Sequence, residues 1–358
     1  MKTKVFQIFF IFFLFLIIEI LSGSYFFGNK INCIYLNCNQ KYTIEVNYLE
    51  KEKYSIINYS RDKYGLRGVK KKYDEIDFLV VGGSTTDEKF MDLKNTWTEK
   101  IEQKFINDEL NIDVVNAGVD GQSTLGHIYN FENWFFEIKN LSPKFIIFYI
   151  GINENRSENF NRFDNQARSG FLQKVKFIIK RNNGVLINFY RKIRTKYFIP
   201  KIGSSNFANV HQPNKVKKYI VKKDLDFETS RELMNQWISN DFIKRLEILS
   251  SYSRKIGAKP IFISQRSYRW FLKNGNLYEI DDTKIQSNEL TDSYYFKEKM
   301  LSEAIKKFSI NNKIYFIDGF NLLKLEKDLL YDYVHTNIEG SEYISKILYP
   351  FLKKIYLN

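Results

Sequence analysis

Residues 76 to 86 read IDFLVVGGSTT. Apolar, strand-favouring side chains run unbroken from Phe78 to Val81 and end on Gly82 and Gly83, followed by Ser84. A strand buried on both faces has this continuous character, whereas a half-exposed one alternates. The glycines permit a tight turn and close approach of neighbouring backbone. A serine in that place presents its hydroxyl at the carboxyl end of the strand, with its own N–H pointing into the same space. By itself the motif is equally a turn signal, because Gly-Gly-Ser ends many strands for turn reasons.

The same kind of run recurs in IDVVNAG (Ile112–Gly118), KFIIFYIG (Lys144–Gly151), KPIFIS (Lys259–Ser264) and KIYFIDG (Lys313–Gly319). Between the runs lie helical patterns. Trp97, Ile101 and Phe105 fall four apart in WTEKIEQKFIN (Trp97–Asn107), as one helical face requires. Helices are also expected through IYNFENWFFEI (Ile128–Ile138), around KEKMLSEAIKKF (Lys297–Phe308) and from Glu339 to the C-terminus. About five apolar strands alternating with helices imply an α/β fold whose parallel sheet is covered on both faces. Ligands of such sheets bind outside the carboxyl ends of the strands. The residues just after each strand are therefore the candidates for chemistry.

The 358 residues suffice for one large domain or two modest ones, and 44% hydrophobic with 27% charged residues is a globular balance. Lys2 and Lys4 precede an apolar run from Val5 to Leu21, and a bilayer takes roughly 17–25 residues to cross. With no further basic residue until Lys30, the N-terminus is expected in the cytoplasm and the remainder outside. A cleaved signal peptide is the competing account, since Ser22-Gly23-Ser24 supplies small residues. Against it, the run exceeds the ~7–15 residues of a signal core. The expected organisation is an anchor over 1–24, an extracytoplasmic lead-in over 25–75, and one domain over 76–358 with an insertion at about 155–235. From Asn165 to Lys223 there are 15 Lys and Arg and no Asp or Glu, so the chain's formal net charge of +14 is local to that stretch. Its mixture of apolar and basic residues suits a helix on an anionic membrane surface. An ordinary insertion with a solvated basic face explains it equally, and an acidic polysaccharide is a further partner. Nucleic acid is not expected outside the cell. Cys33 and Cys38 either close a small loop or remain free thiols. With no His/Cys cluster beside them they do not form a metal site.

After the second strand, NAGVDGQST (Asn116–Thr124) offers Gly121, whose N–H is open to a developing oxyanion or belongs to a second turn. After the third, YIGINE (Tyr149–Glu154) offers the amide of Asn153, which otherwise reads as a helix cap. Before the last helix stands DYVH (Asp332–His335). A hydroxyl needs a base to act as a nucleophile near neutral pH, and imidazole suits that task. An Asp three residues earlier can reach back to Nδ1 and stabilise the charged ring. Taken singly, the two are a helix-start pair with Asn337 as cap.

Together, in this order and at successive strand ends, the four motifs resemble those of the SGNH (GDSL-like) hydrolases. VGGSTT is similar to the family's first block, NAGVDGQST to its second, GIN to its third and DYVH to its last. NYSRDKYGLRG (Asn58–Gly68) is similar to a lead-in of some exported members. The family's Gly-Asp-Ser reads Gly82-Gly83-Ser84 here, and its Gly-x-Asn-Asp reads Gly151-Ile152-Asn153-Glu154. The resemblance implies a three-layer, flavodoxin-like doubly wound sheet and a serine mechanism without cofactor. Ser84 would be the nucleophile, His335 the base and Asp332 its orienting group. Ser84, Gly121 and Asn153 would form the oxyanion hole. An anchored, exported member would act on O-acyl groups of a surface glycan or lipid. Water as acceptor gives an esterase and a sugar hydroxyl gives an acyltransferase. A phospholipid esterase and a non-catalytic binding domain are the remaining alternatives.

Overall fold

The computed structural model describes residues 2–22, 31, 36, 38–39, 41–46, 55–154, 185, 189, 193, 219–222, 228–281, 291 and 293–358. Its strands are β1 (Lys41–Val46), β2 (Ser55–Ser60), β3 (Phe78–Gly82), β4 (Val114–Asn116), β5 (Phe145–Ile150), β6 (Tyr219–Lys222), β7 (Lys259–Ser264), β8 (Trp270–Lys273), β9 (Asn276–Ile280) and β10 (Tyr315–Ile317). The helices are α1 (Lys2–Ser22), α2 (Ser84–Asp87), α3 (Trp97–Asn107), α4 (Thr124–Asn133), α5 (Glu228–Trp237), α6 (Ile243–Lys255), α7 (Tyr294–Asn311), α8 (Gly319–Leu322) and α9 (Ile338–Leu357). A π-helical turn, Ile238–Phe242, joins α5 to α6.

Five strands form one parallel sheet in the order β10-β7-β5-β3-β4. Numbered within the sheet, that order is 2-1-3-4-5, the flavodoxin-like winding. Side chains alternate across a strand, and the two faces are packed accordingly. Phe78, Val80, Ile147 and Tyr149 meet Ile101 and Phe105 of α3 and Leu348 and Leu352 of α9. Leu79, Val81, Ile146 and Phe148 meet Phe131 of α4, Leu246 of α6 and Leu301 of α7. Every residue of β3 and β5 is buried, which is why their sequences show no polar alternation. The fold is the three-layer α/β sandwich expected.

Several details depart from the sequence reading. The helix expected over Ile128–Ile138 begins instead at Thr124, where the Ser123 hydroxyl accepts from Leu125 N, and ends before Trp134. A three-stranded antiparallel sheet, β6-β9-β8, was not anticipated. Asn274 and Gly275 both have positive φ, 51° and 77°, and make the two-residue turn between β8 and β9. β6 and α5 belong to the region read as an insertion; most of its basic stretch, with the surface-helix reading, lies outside the described residues. The lead-in, in which β2 pairs with β1, is joined to the domain: Tyr59 and Leu66 are buried, and Arg67 and Asn116 exchange backbone hydrogen bonds, both at 2.9 Å. Cys38 is disulfide-bonded, which selects the bridged alternative for the cysteines. Lys4–Leu21 of α1 has mean hydropathy 2.4 and none of it is buried, so this helix is long and apolar enough to cross a membrane.

At the amino ends of β3 and β4, Asp113 is 1% exposed and neither carboxylate oxygen has a partner. Burial, with help from nearby Glu102, pushes its pKa up to about 7. The folded chain therefore holds this proton up to about pH 7, whereas the unfolded chain releases it near 3.9. The group's contribution to stability falls as pH rises across that window. In Asp113→Asn that loss disappears. Thermal melts should show the variant's Tm, relative to the parent, rising by about 2–4 °C between pH 4.5 and pH 8.

Candidate active site

β3 ends against two close neighbours. A side chain on Gly83 would place its first carbon 2.5 Å from Asn153 Nδ2 and 3.3 Å from Gln122 O. One on Gly82 would collide with Thr86. Gly83 has φ −86°, so glycine is needed here for proximity rather than for an unusual backbone angle. The Gly83 carbonyl accepts from Thr86 N and Asp87 N, each at 3.0 Å, and α2 starts on Ser84. The turns after β3, β4 and β5 thereby meet within one crevice.

The Ser84 hydroxyl lies 2.7 Å from His335 Nε2, across 251 residues of chain. His335 Nδ1 lies 2.7 Å from Asp332 Oδ2. The other carboxylate oxygen, Oδ1, accepts from Val334 N and His335 N, both at 2.8 Å. Burial opposes the charge on Asp332, yet the His335 ring and these two amides hold its pKa down at about 2. The carboxylate therefore stays ionised at any ordinary working pH. Tyr331 stacks on the imidazole, with ring centroids 5.5 Å apart and planes 6° from parallel. Asn337 caps α9 by accepting from Gly340 N at 2.9 Å, as its position suggested.

Asn153 Nδ2 donates to Gln122 O at 3.1 Å, which sets its amide between Gly83 and the turn containing Gly121. A primary amide carries two hydrogens, and one of them is engaged there. Gly121 has φ 69° and Gln122 N reaches back to Val119 O at 3.4 Å. Glu154, where the family pattern has Asp, has a local task. Its carboxylate accepts from Thr124 N and the Thr124 hydroxyl, both at 2.8 Å, at the start of α4, and lies 3.5 Å from Arg245.

Sequence reasoning missed the groups that hold α2. Asp87 is 3% exposed and its Oδ1 accepts from Tyr59 OH at 2.8 Å and from Arg61 at 2.7 Å. Arg61 also donates to the carbonyls of Gly65 and Gly118, both at 2.6 Å. Burial works against the Arg61 charge, but Asp87 and Tyr59 bind its proton more firmly than usual. Arg67, 1% exposed, donates to the Asp87 carbonyl and, at 3.2 Å, to Met91 O. Just after β7, Gln265 donates to the Thr85 hydroxyl at 2.8 Å and accepts from Ile152 N at 3.1 Å. The one available signal was the pair of arginines six apart in NYSRDKYGLRG. Glu88, next to Asp87, bonds Thr336, Ser341 and Trp97 N. Among the described residues, no cluster of His, Cys, Asp and Glu is arranged to hold a metal ion.

No family model matches the sequence, and no curated protein matches it. Solved structures do resemble the chain. It is similar to TesA at 11% identity, over 78% of this chain and 98% of that one, with a TM-score of 0.41. A lipolytic G-D-S-L family member from Veillonella parvula is 13% identical over 78% and 99% of the two chains, TM-score 0.40. The psychrotrophic esterase EstA from Pseudoalteromonas sp. is 11% identical over 79% and 99%, TM-score 0.40. At such identities, function has to be read from this chain's own residues.

Proposed function

We propose that the protein is a serine-dependent ester hydrolase of the SGNH type. One observation carries the reading: Ser84, His335 and Asp332 form an unbroken hydrogen-bonded line at the carboxyl end of β3. Ser84 Oγ attacks the acyl carbon while His335 Nε2 takes the hydroxyl proton. The C–O bond to the leaving alcohol then breaks, and His335 returns the proton to that alcohol. Water repeats the cycle on the acyl-enzyme and releases the acid. Asp332, ionised throughout, fixes the imidazole's orientation and stabilises its cation. The oxyanion is assigned to the N–H groups of Ser84 and Gly121 and to the Asn153 amide. The substrate class is an O-acylated glycan or lipid at the cell surface. That location rests on α1 acting as an anchor with the domain outside. A sugar hydroxyl in place of water would make the same triad an acyltransferase.

A fluorophosphonate probe should label the parent protein, and Ser84→Ala should abolish both labelling and p-nitrophenyl acetate hydrolysis. Combining Ser84→Ala with His335→Ala should cost no more than the worse single change, because the two act as one unit. An unlabelled Ser84 in folded protein would leave a binding domain as the better account.

Asn153→Ala should lower kcat by ~10²–10³ with little change in KM, since the lost donor serves the transition state. Activity should fall on acidification, because only a neutral imidazole can accept the Ser84 proton. With Asp332 held at about 2, its protonation cannot be the source of that fall. A flat rate between pH 5 and pH 8, with chemistry limiting, would remove His335 as the base.

A further inference from the structure

Four residues beyond Ser84, Glu88 is 5% exposed and has a φ of 45°. A non-glycine residue seldom adopts this left-handed conformation, because its Cβ crowds the following carbonyl. Its carboxylate gathers three donors, two from around the start of α9 about 250 residues away and one from the start of α3. Oε1 accepts from the hydroxyl of Thr336 at 2.8 Å and from that of Ser341, while Oε2 accepts from Trp97 N at 2.7 Å. Thr336 follows His335 directly, Ser341 lies in the first turn of α9, and Trp97 opens α3. Helix starts carry unpaired N–H groups and positive potential, which favour a carboxylate there.

We propose that Glu88 is a positioning residue, tying the segment that carries Ser84 to the segment that carries His335 and so fixing how hydroxyl and imidazole meet. It acts through His335. The Thr336 bond anchors the residue next to the imidazole, and the Ser341 bond anchors the helix that follows. Misplacing a catalytic group by about an ångström can cost as much as 10²-fold in rate, so such an anchor has a kinetic effect beyond stability.

The environment makes the anchor sensitive to protonation. Burial pushes Glu88 up to about 7, against the pull of bonds from Ser341, Thr336 and Trp97 N and of the Arg67 charge. The groups facing it are Arg67 from the lead-in, whose guanidinium is 3.4 Å from the Glu88 carbonyl, and Tyr149 of β5, whose phenol is held neutral by burial. His335 and Tyr331 line the same small cavity as Glu88, and its remaining polar neighbours are the two hydroxyls and the Trp97 amide. An ionised carboxylate accepts from all three donors. Once protonated, it must donate one hydrogen bond itself, and one of the three contacts has to reverse or open.

This proposal rests on the esterase reading for its kinetic test. Glu88→Gln keeps the shape but turns N–H groups toward inward-pointing donors; Thr336→Val removes one tether and Thr336→Ser retains it. With p-nitrophenyl acetate, and with active sites counted by fluorophosphonate labelling, kcat per labelled serine should fall about tenfold in Glu88→Gln and Thr336→Val. KM should stay within about twofold, Thr336→Ser should recover the rate, and the double variant should be no worse than either single. The ratio of parent to Glu88→Gln kcat per labelled serine should shrink as pH falls through about 7, where Glu88 of the parent takes up its proton. A parent-like kcat per labelled serine in both variants overturns the proposal, as does a parent-to-Glu88→Gln ratio that stays constant from pH 8 to pH 6. If the parent neither labels nor turns over, the esterase reading fails instead. The low-field proton NMR signal of His335 Nδ1–H then decides: displaced in Glu88→Gln supports the tether, unchanged overturns it.

Discussion

β3 hydrogen-bonds to β4 on one side and β5 on the other, and both run parallel to it. The chain leaves β3 for one neighbour and comes back on the far side for the other, so the loops above β3 part in opposite directions. That divergence opens a crevice at the carboxyl edge of the sheet. Ser84 stands at its floor, Gln122 and Gly121 on one wall, Asn153 on the other. The crevice needs no special side chains to exist. It needs the strand order, and the strand order needs two apolar faces wide enough to carry helices on each.

Within that space the residues after Ser84 are held by ions that face no water. Asp87 accepts from Tyr59 and Arg61, and Arg67 holds the Asp87 backbone. Withdrawing such charges from water is costly, and the attraction between them does little more than offset it. The arrangement is better understood as geometry than as stability: α2 is a single short turn, too brief to hold itself. The lead-in supplies both arginines, so the stretch before the sheet belongs to the working part of the protein.

The layers were legible because burial on both faces writes itself into sequence as unbroken runs such as FLVV and FIIFYI. Three of the four motifs were legible because each sits just where such a run stops, and DYVH because an Asp and a His stand three apart before the last helix. Other features left weaker marks. The small sheet was passed over although Asn274-Gly275 is a strong hairpin signal, because β8 and β9 are short and half-exposed and lack the unbroken apolar runs that marked the main strands. Asp87 and Glu88, just beyond the first motif, carry no sequence mark of what they bind. Nothing in the local pattern shows that Arg61, Arg67, Thr336 and Ser341, some of them about 250 residues away, converge on them. Side-chain periodicity records which face is dry, but it does not record which distant donor a carboxylate will find.

Asp332 binds the amides of Val334 and His335 with one oxygen and the imidazole with the other. Acid, base and the loop between them are thus a self-contained cassette of four residues. Any displacement of that loop would carry acid and base together, so the contacts it stretches are Ser84–His335 and the Glu88–Thr336 bond.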